Sequence, residues 1–214
     1  MRGLFISLEG PDGSGKSTQA RLLAECLRNL RVPVVATREP GGSKAADAIR
    51  QVLLDPALKG LSDRAELLLF AASRHQHLQD TILPALRKGK VVLCDRYVDS
   101  TVAYQVHGRR FAPEQVAWLN RFSSQSLLPD VTLLFDLPEA EGLKRAAQAK
   151  RGRDRMESQG LAFHRRVRQG YLKLAKRQGR RIKVIKVAGL SPDEVLTQCL
   201  DALGPVLQGR GRVI

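Results

Sequence analysis

The sequence predicts an α/β fold in which a five-stranded parallel sheet is flanked by helices on both faces. Three observations carry that expectation. Short apolar runs rich in branched residues alternate with segments of helical periodicity along the chain, the pattern of βαβ units. Within each run apolar residues are nearly continuous, as in strands covered on both faces. A glycine-rich turn, Gly10-Pro-Asp-Gly-Ser-Gly15-Lys16-Ser17, joins the first run to the first helical segment.

Leu4 to Leu8 is the first strand, and Lys16 to Leu30 the first helix, with Leu23, Cys26, Leu27 and Leu30 at helical spacing. Pro33 to Thr37 is the second strand, followed by a helix from Ala45 to Leu54. Arg64 to Arg87 reads as one long helix that Pro84 kinks, because proline lacks a donor and crowds the preceding turn. Val91 to Cys94 is the third strand. Pro113 to Ser123 begins with proline at its first helical position, and Val131 to Leu137 is the fourth strand. Helices Glu139 to Ala149 and Leu161 to Gln178 precede the last strand, Ile182 to Val187. Ser191, Pro192 and Glu194 form an N-cap with capping-box spacing for a helix to Leu207. The tail from Gly209 carries no signal.

At 214 residues the chain fits a single domain, 1–214. No apolar run approaches the roughly 20 residues that cross a bilayer. The first strand begins within a few residues of Met1, leaving no room for a signal peptide, so a cytoplasmic location and no membrane partner are expected. Cys26, Cys94 and Cys199 are odd in number and lie in apolar patterns, which reads as buried free thiols. His75 and His77 point to different helix faces and make a poor metal pair, with surface or partner contacts as their expected role.

The formal net charge of +15 suggests nucleic acid. Its distribution argues otherwise. Between Gly142 and Lys186 stand 16 Lys and Arg against Asp154 and Glu157, a net +14, so the remainder is almost neutral. A basic segment of this kind can gather anions and stabilise transferring phosphoryl groups.

The glycine-rich turn fits G-x-x-x-x-G-K-[ST], the P-loop, and places the fold among the P-loop NTPase type. Gly10, Pro11, Asp12, Gly13, Ser14 and Gly15 would wrap backbone N–H groups around the phosphates of ATP, continued by Lys16, Ser17 and Thr18 at the helix N-terminus. Lys16 is expected to be solvated in the empty loop and to pair with the β- and γ-phosphates. Ser17 can ligate Mg²⁺, and Asp95, ending the third strand, occupies the position of a Walker-B-type carboxylate, which can orient that ion or its waters. Arg38 and Arg96, at adjacent strand ends, suit a phosphorylated acceptor because a guanidinium matches two oxygens at once.

Several stretches together resemble bacterial thymidylate kinases over almost the whole chain. They are Leu8-Glu9-Gly10, Thr37-Arg-Glu-Pro-Gly-Gly42, Leu69-Phe-Ala-Ala-Ser-Arg74 with Gln76-His77, Asp95-Arg-Tyr-Val-Asp-Ser-Thr-Val-Ala-Tyr-Gln105, and the basic segment ending Asp154-Arg155. The resemblance implies ATP and Mg²⁺ as cofactors, dTMP as acceptor, dTDP as product, and a homodimer. It implies that Phe70 stacks on the base and that Arg74 contacts or supports it. Thr101, Tyr104 and Gln105 would line the nucleoside pocket, with Tyr104 against a 2′-hydroxyl, while Asp12, Arg38, Glu39 and Arg96 surround the acceptor phosphate. The eukaryotic kind carries arginine where Gly13 stands here. That role would pass to Arg151, Arg153 or Arg155, in a lid within about 142–160. Spare apolar faces on the helices at Arg64 to Arg87 and Pro113 to Ser123 could supply the dimer contact. Rival readings are a kinase for another nucleotide or nucleoside, and a basic P-loop protein that binds nucleic acid. A GTPase is disfavoured because no Asn-Lys-x-Asp sequence occurs.

Overall fold

The computed structural model describes residues 3–149, 155–156 and 159–209. Strands β1 (Leu4–Glu9), β2 (Val34–Arg38), β3 (Val91–Asp95), β4 (Val131–Asp136) and β5 (Ile182–Lys186) form one sheet in the order β2-β3-β1-β4-β5. Every pairing is parallel: β1 sets Leu4 opposite Val91 on one side and Ile6 opposite Val131 on the other. The chain leaves β1 toward β2 and leaves β4 toward β5, in opposite directions. A crevice therefore opens beyond the carboxyl ends of these two neighbours, where ligands bind in open α/β sheets.

Alternation along β1 divides the core. Leu4, Ile6 and Leu8 face α1 (Lys16–Asn29) and α9 (Pro192–Gln208), packing with Leu23, Leu27, Cys199 and Leu203. Phe5 faces the opposite layer, with Leu78, Ile82, Leu86 and Tyr97. A third cluster joins Leu134 to Ala103, Tyr104, Phe163, Val167 and Tyr171, and so sits beside the crevice. The central strands are buried on both faces, as expected. The edge strands β2 and β5 differ, with exposed Ala36, Arg38, Val184 and Lys186, because an edge is covered less completely.

Remaining elements are α2 (Lys44–Leu54), α3 (Asp63–His77), α4 (Leu83–Arg87), α5 (Val98–Thr101), α6 (Pro113–Ser124), α7 (Glu139–Ala149) and α8 (Leu161–Arg177). The long helix expected from Arg64 to Arg87 is interrupted earlier than Pro84, by a wide π-type turn over Leu78–Ile82. Pro84 cannot donate to the preceding turn, and the ladder widens just before it. A second wide turn, Val102–Gly108, continues α5. No helical pattern is legible there, since the buried positions include polar Thr101 and Gln105. The capping box of α9 forms: Glu194 N donates to Ser191 Oγ (3.3 Å) and Ser191 N to Glu194 Oε2 (2.8 Å). Cys94 and Cys199 are buried thiols, whereas Cys26 is only partly covered. Among the described residues, no helix is long and apolar enough to cross a membrane.

Candidate active site

β1 ends in buried Glu9 and the chain turns sharply. Gly10, Gly13 and Gly15 adopt φ of +145°, +72° and +86°. Space excludes side chains as firmly as torsion: a Cβ on Gly13 would collide with the Gly142 carbonyl, and one on Gly142 with the Asp12 carbonyl. The arginine of the eukaryotic kind has no room at Gly13. Gly15 is the N-cap of α1, so the first free N–H groups of that helix lie at the loop.

Lys16 departs from the expectation of a solvated side chain. It is 6% exposed, and Nζ donates to Pro11 O (2.7 Å), with Ser14 Oγ at 3.4 Å. The loop folds over its own lysine and supplies a carbonyl in place of water. Burial, and then repulsion from Arg96, lowers its pKa to about 8. Ser17 Oγ donates to Asp95 Oδ2 at 2.5 Å, so the two oxygens expected to face Mg²⁺ do converge. Hard oxygen donors of this kind fit Mg²⁺, which takes few protein ligands and keeps waters and phosphate oxygens.

Arg96 is the centre of the crevice. Its φ of +73° is left-handed, which costs a non-glycine residue on the order of 1–3 kcal/mol. Arg96 N donates to Leu8 O (2.9 Å). Its guanidinium reaches Asp12 Oδ1 (2.6 Å), Gly10 O (3.1 Å), Tyr104 OH (3.1 Å) and Tyr171 OH (3.2 Å). Tyr104 OH also donates to Asp12 Oδ2 (2.8 Å), and His164 Nδ1 lies 3.8 Å from the same oxygen. Burial alone would raise the Asp12 carboxyl, but Arg96 and Lys16 overcome it and hold the group below its ordinary range. Beneath them Glu9 accepts from Tyr97 N (2.7 Å), Ser100 Oγ (2.5 Å) and Tyr171 OH (3.0 Å). Burial, then repulsion from Asp99, pushes Glu9 up to about 7.

A second network lies across the crevice. Buried Arg74 donates to Glu39 Oε2, Asn120 Oδ1 and Thr101 Oγ1, each at 2.8 Å. His77, expected at a surface, is fully buried between Thr37 Oγ1 (2.7 Å) and Glu39 Oε1 (3.2 Å). His75 is exposed, as expected, with Nδ1 3.1 Å from Ser123 O. Glu39, His77 and Cys94 bring potential metal ligands within 4.8 Å of one another. The guanidinium of Arg74 on Glu39 occupies the cationic role there, and burial keeps the Cys94 thiol protonated.

One cleft of about 350 Å³ joins the two networks. Of the residues expected from the sequence, it is lined by Asp12, Gly13, Gly15 to Thr18, Arg38, Glu39, Phe70, Arg74, Asp95, Arg96, Thr101, Tyr104 and Gln105. Gly10, Pro11 and Ser14 are buried beneath the loop. Phe70 is partly exposed into the cleft and belongs to none of the core clusters. Arg38 is exposed and pairs with Asp47 (3.3 Å). Arg50, Ser100, Arg145 and Met156 also line the cleft and were not anticipated. For Arg145 the signal was present, immediately after Lys144 in the basic segment. Arg151 and Arg153 lie outside the described residues. Arg155 is 8% exposed and turned onto Glu66, with Nη1 2.6 Å from Oε2.

A sequence-family model, thymidylate kinase, matches residues 8–198. The chain belongs to the thymidylate kinase family. Curated thymidylate kinases of Ectopseudomonas mendocina and Pelotomaculum thermopropionicum are 50% and 45% identical to it. The first aligns over 97% of each chain, the second over 99% of this chain and all of its own. The crystal structure of thymidylate kinase from Ehrlichia chaffeensis superposes with a TM-score of 0.78 at 33% identity, covering 95% of this chain and all of that one. Membership makes this chain a nucleoside-monophosphate kinase, a phosphotransferase, and fits the all-parallel P-loop sheet.

Proposed function

We propose that the chain transfers the γ-phosphoryl group of ATP to dTMP, giving dTDP and ADP with Mg²⁺. The observation that carries this reading is the single cleft that runs from Lys16 and Ser17 past Arg96 to Phe70 and Arg74. An acceptor phosphate beside Arg96 and Arg38 faces the loop end, while its base lies against Phe70 and within reach of the Arg74 network. Tyr104, fixed by Asp12 and Arg96, stands where a ring would crowd a sugar 2′-hydroxyl.

An acceptor phosphate oxygen attacks the γ-phosphorus in line. The new O–P bond forms as the bond to the β,γ-bridging oxygen breaks, and the electron pair leaves with ADP. The ionised phosphate is already a nucleophile, so the chain's task is alignment and charge stabilisation. Lys16 exchanges the Pro11 carbonyl for phosphate oxygens, and Arg96 holds the acceptor. Ser17 and Asp95 would hold Mg²⁺, which would supply positive charge to offset that developing on the transferring phosphoryl group. From the sequence, Arg151, Arg153 and Arg155 are the arginines assigned to the transferring group; with Arg155 turned onto Glu66, we propose Arg151 or Arg153 for that role. We also propose a homodimer through α3 and α6, where Leu68, Trp118 and Phe122 are 60%, 58% and 68% exposed. A cytoplasmic location follows from the same reading.

ADP release by the purified chain, measured against a panel of nucleoside monophosphates and separately against DNA, is the test. Selective acceleration by dTMP is expected. Acceleration by DNA, or by another monophosphate in preference to dTMP, overturns the assignment.

A further inference from the structure

Glu66, on α3, is a carboxylate with no exposed surface and two guanidiniums for partners. It accepts from Gln105 Nε2 (3.1 Å), from Arg109 Nη2 (2.9 Å) and from Arg109 Nε (3.3 Å), and it pairs with Arg155 Nη1 (2.6 Å). These partners come from the cleft wall, the end of the second wide turn, and the basic segment. Removing this buried carboxylate would take an anionic partner from two guanidiniums, and half-exposed Asp63, 3.4 Å from Arg109, would compensate one of them in part.

Arg155, Met156 and Gln159 are tied to the same wall. Arg155 Nε donates to Leu53 O (2.9 Å), and Arg109 Nη1 donates to Gln159 Oε1 (3.2 Å). Met156 is buried in the cluster of Tyr104 and Phe163 and lines the cleft. An arginine so placed has its donors committed away from the P-loop.

Glu66 also sets the sense of a cleft-lining amide. A carboxylate has only acceptors, so Gln105 must present its NH₂ to Glu66, which leaves the carbonyl oxygen as the group available to a ligand. Flipping the amide would bring two acceptors together beside a full charge. A glutamine in place of Glu66 could donate as well as accept, and that polarity would be lost.

We infer that Glu66 is a positioning residue of the acceptor site. It fixes the Gln105 amide and anchors Arg155, which acts through Glu66 and not on the transferring phosphoryl group. This rests on the acceptor pocket proposed above. Wild-type turnover with dTMP tests that pocket first, and a wild type that ignores dTMP sinks the reading before any variant is made.

The decisive experiment is a double-mutant cycle of Glu66→Gln and Arg155→Met, with dTMP and ATP affinities and kcat measured for each. Glu66→Gln should weaken dTMP binding about tenfold, the scale of one charge-assisted hydrogen bond, and leave ATP affinity within about twofold. Arg155→Met should show a smaller loss of the same kind, and the double variant should be no worse than Glu66→Gln alone. Full additivity overturns the inference. So does a fall of about 10³-fold in kcat for Arg155→Met at unchanged affinities, the mark of an arginine acting in the transition state. Should Glu66→Gln not fold, Arg155→Lys decides: recovery of dTMP affinity relative to Arg155→Met supports the anchor, and equal values for Met, Lys and wild type refute it.

Discussion

Lys16 lies buried in its loop, already bonded to a carbonyl of that loop. Lys16→Ala should therefore leave the fold intact and lower kcat by on the order of 10²-fold or more, since a charge-assisted contact in the transition state disappears. Near-normal turnover by a folded variant would contradict the P-loop role. Its pKa of about 8 adds a sign. Above that pH the empty loop holds neutral lysine, and ATP favours the charged form, so binding should take up a proton and weaken as pH rises through 8 to 9. Calorimetry in buffers of differing ionisation enthalpy would show the uptake, and its absence at pH 9 would refute the linkage. Phe70 is a second residue whose role the structure sharpens, because it faces the cleft and not the core. Phe70→Ala should cost about 5- to 150-fold in dTMP affinity, from roughly 1–3 kcal/mol of stacking, with ATP affinity almost unchanged. An equal loss of both affinities would place the ring elsewhere. The aromatic and the strand-end arginines were legible because their chemistry is local. Arg50 and Met156 were not, since only folding brings them to the cleft.

At the scale of elements, the sheet was readable because β-branched runs bounded by turn signals leave few alternatives, and each strand was placed within a residue or so at its ends. The stretch from Val98 to Gly108 was not, because its buried polar residues face partners distant in sequence: Asp99 meets Arg181 (2.7 Å) and Thr101 meets Arg74. Glu9 shows what such burial does to an element's end. Its folded pKa of about 7 lies above the ordinary 4.5, so the folded chain binds the extra proton. The stability linked to that proton is fully present below pH 4.5 and is lost as pH rises through 7, up to about 3 kcal/mol. Glu9→Gln keeps an acceptor for Tyr97 N without the charge. Urea denaturation should find the variant more favourable relative to wild type at pH 8 than at pH 5, by on the order of 2 kcal/mol. The same difference at both pH values would show that Glu9 does not titrate in this window.

For the molecule as a whole, the basic balance proves less available than the sequence suggests. Arg165 and Arg168 pair with Glu139, Arg168 also with Asp136, and Arg181 with Asp99, so part of the positive segment stitches α8 to α7 and the end of β4, and the start of β5 to α5. The face most exposed to a partner is apolar instead. Trp118 and Phe122 stack at 5.4 Å with an interplanar angle of 8°, one turn apart on α6, and Leu68 of α3 completes the patch. Nothing in the described chain covers these side chains, and a hydrophobic patch rimmed by polar Glu114 and Gln115 is the form of a surface that associates. A second copy satisfies it symmetrically, since a two-fold interface uses one patch twice. Trp118→Asp should then yield a monomer, because pairing would bury two carboxylates against each other in an apolar contact. Sedimentation of wild type and variant over a range of concentrations measures this directly: a dimer for the first and a folded monomer for the second are expected. A wild type that stays monomeric at high concentration would show that this face serves some other contact.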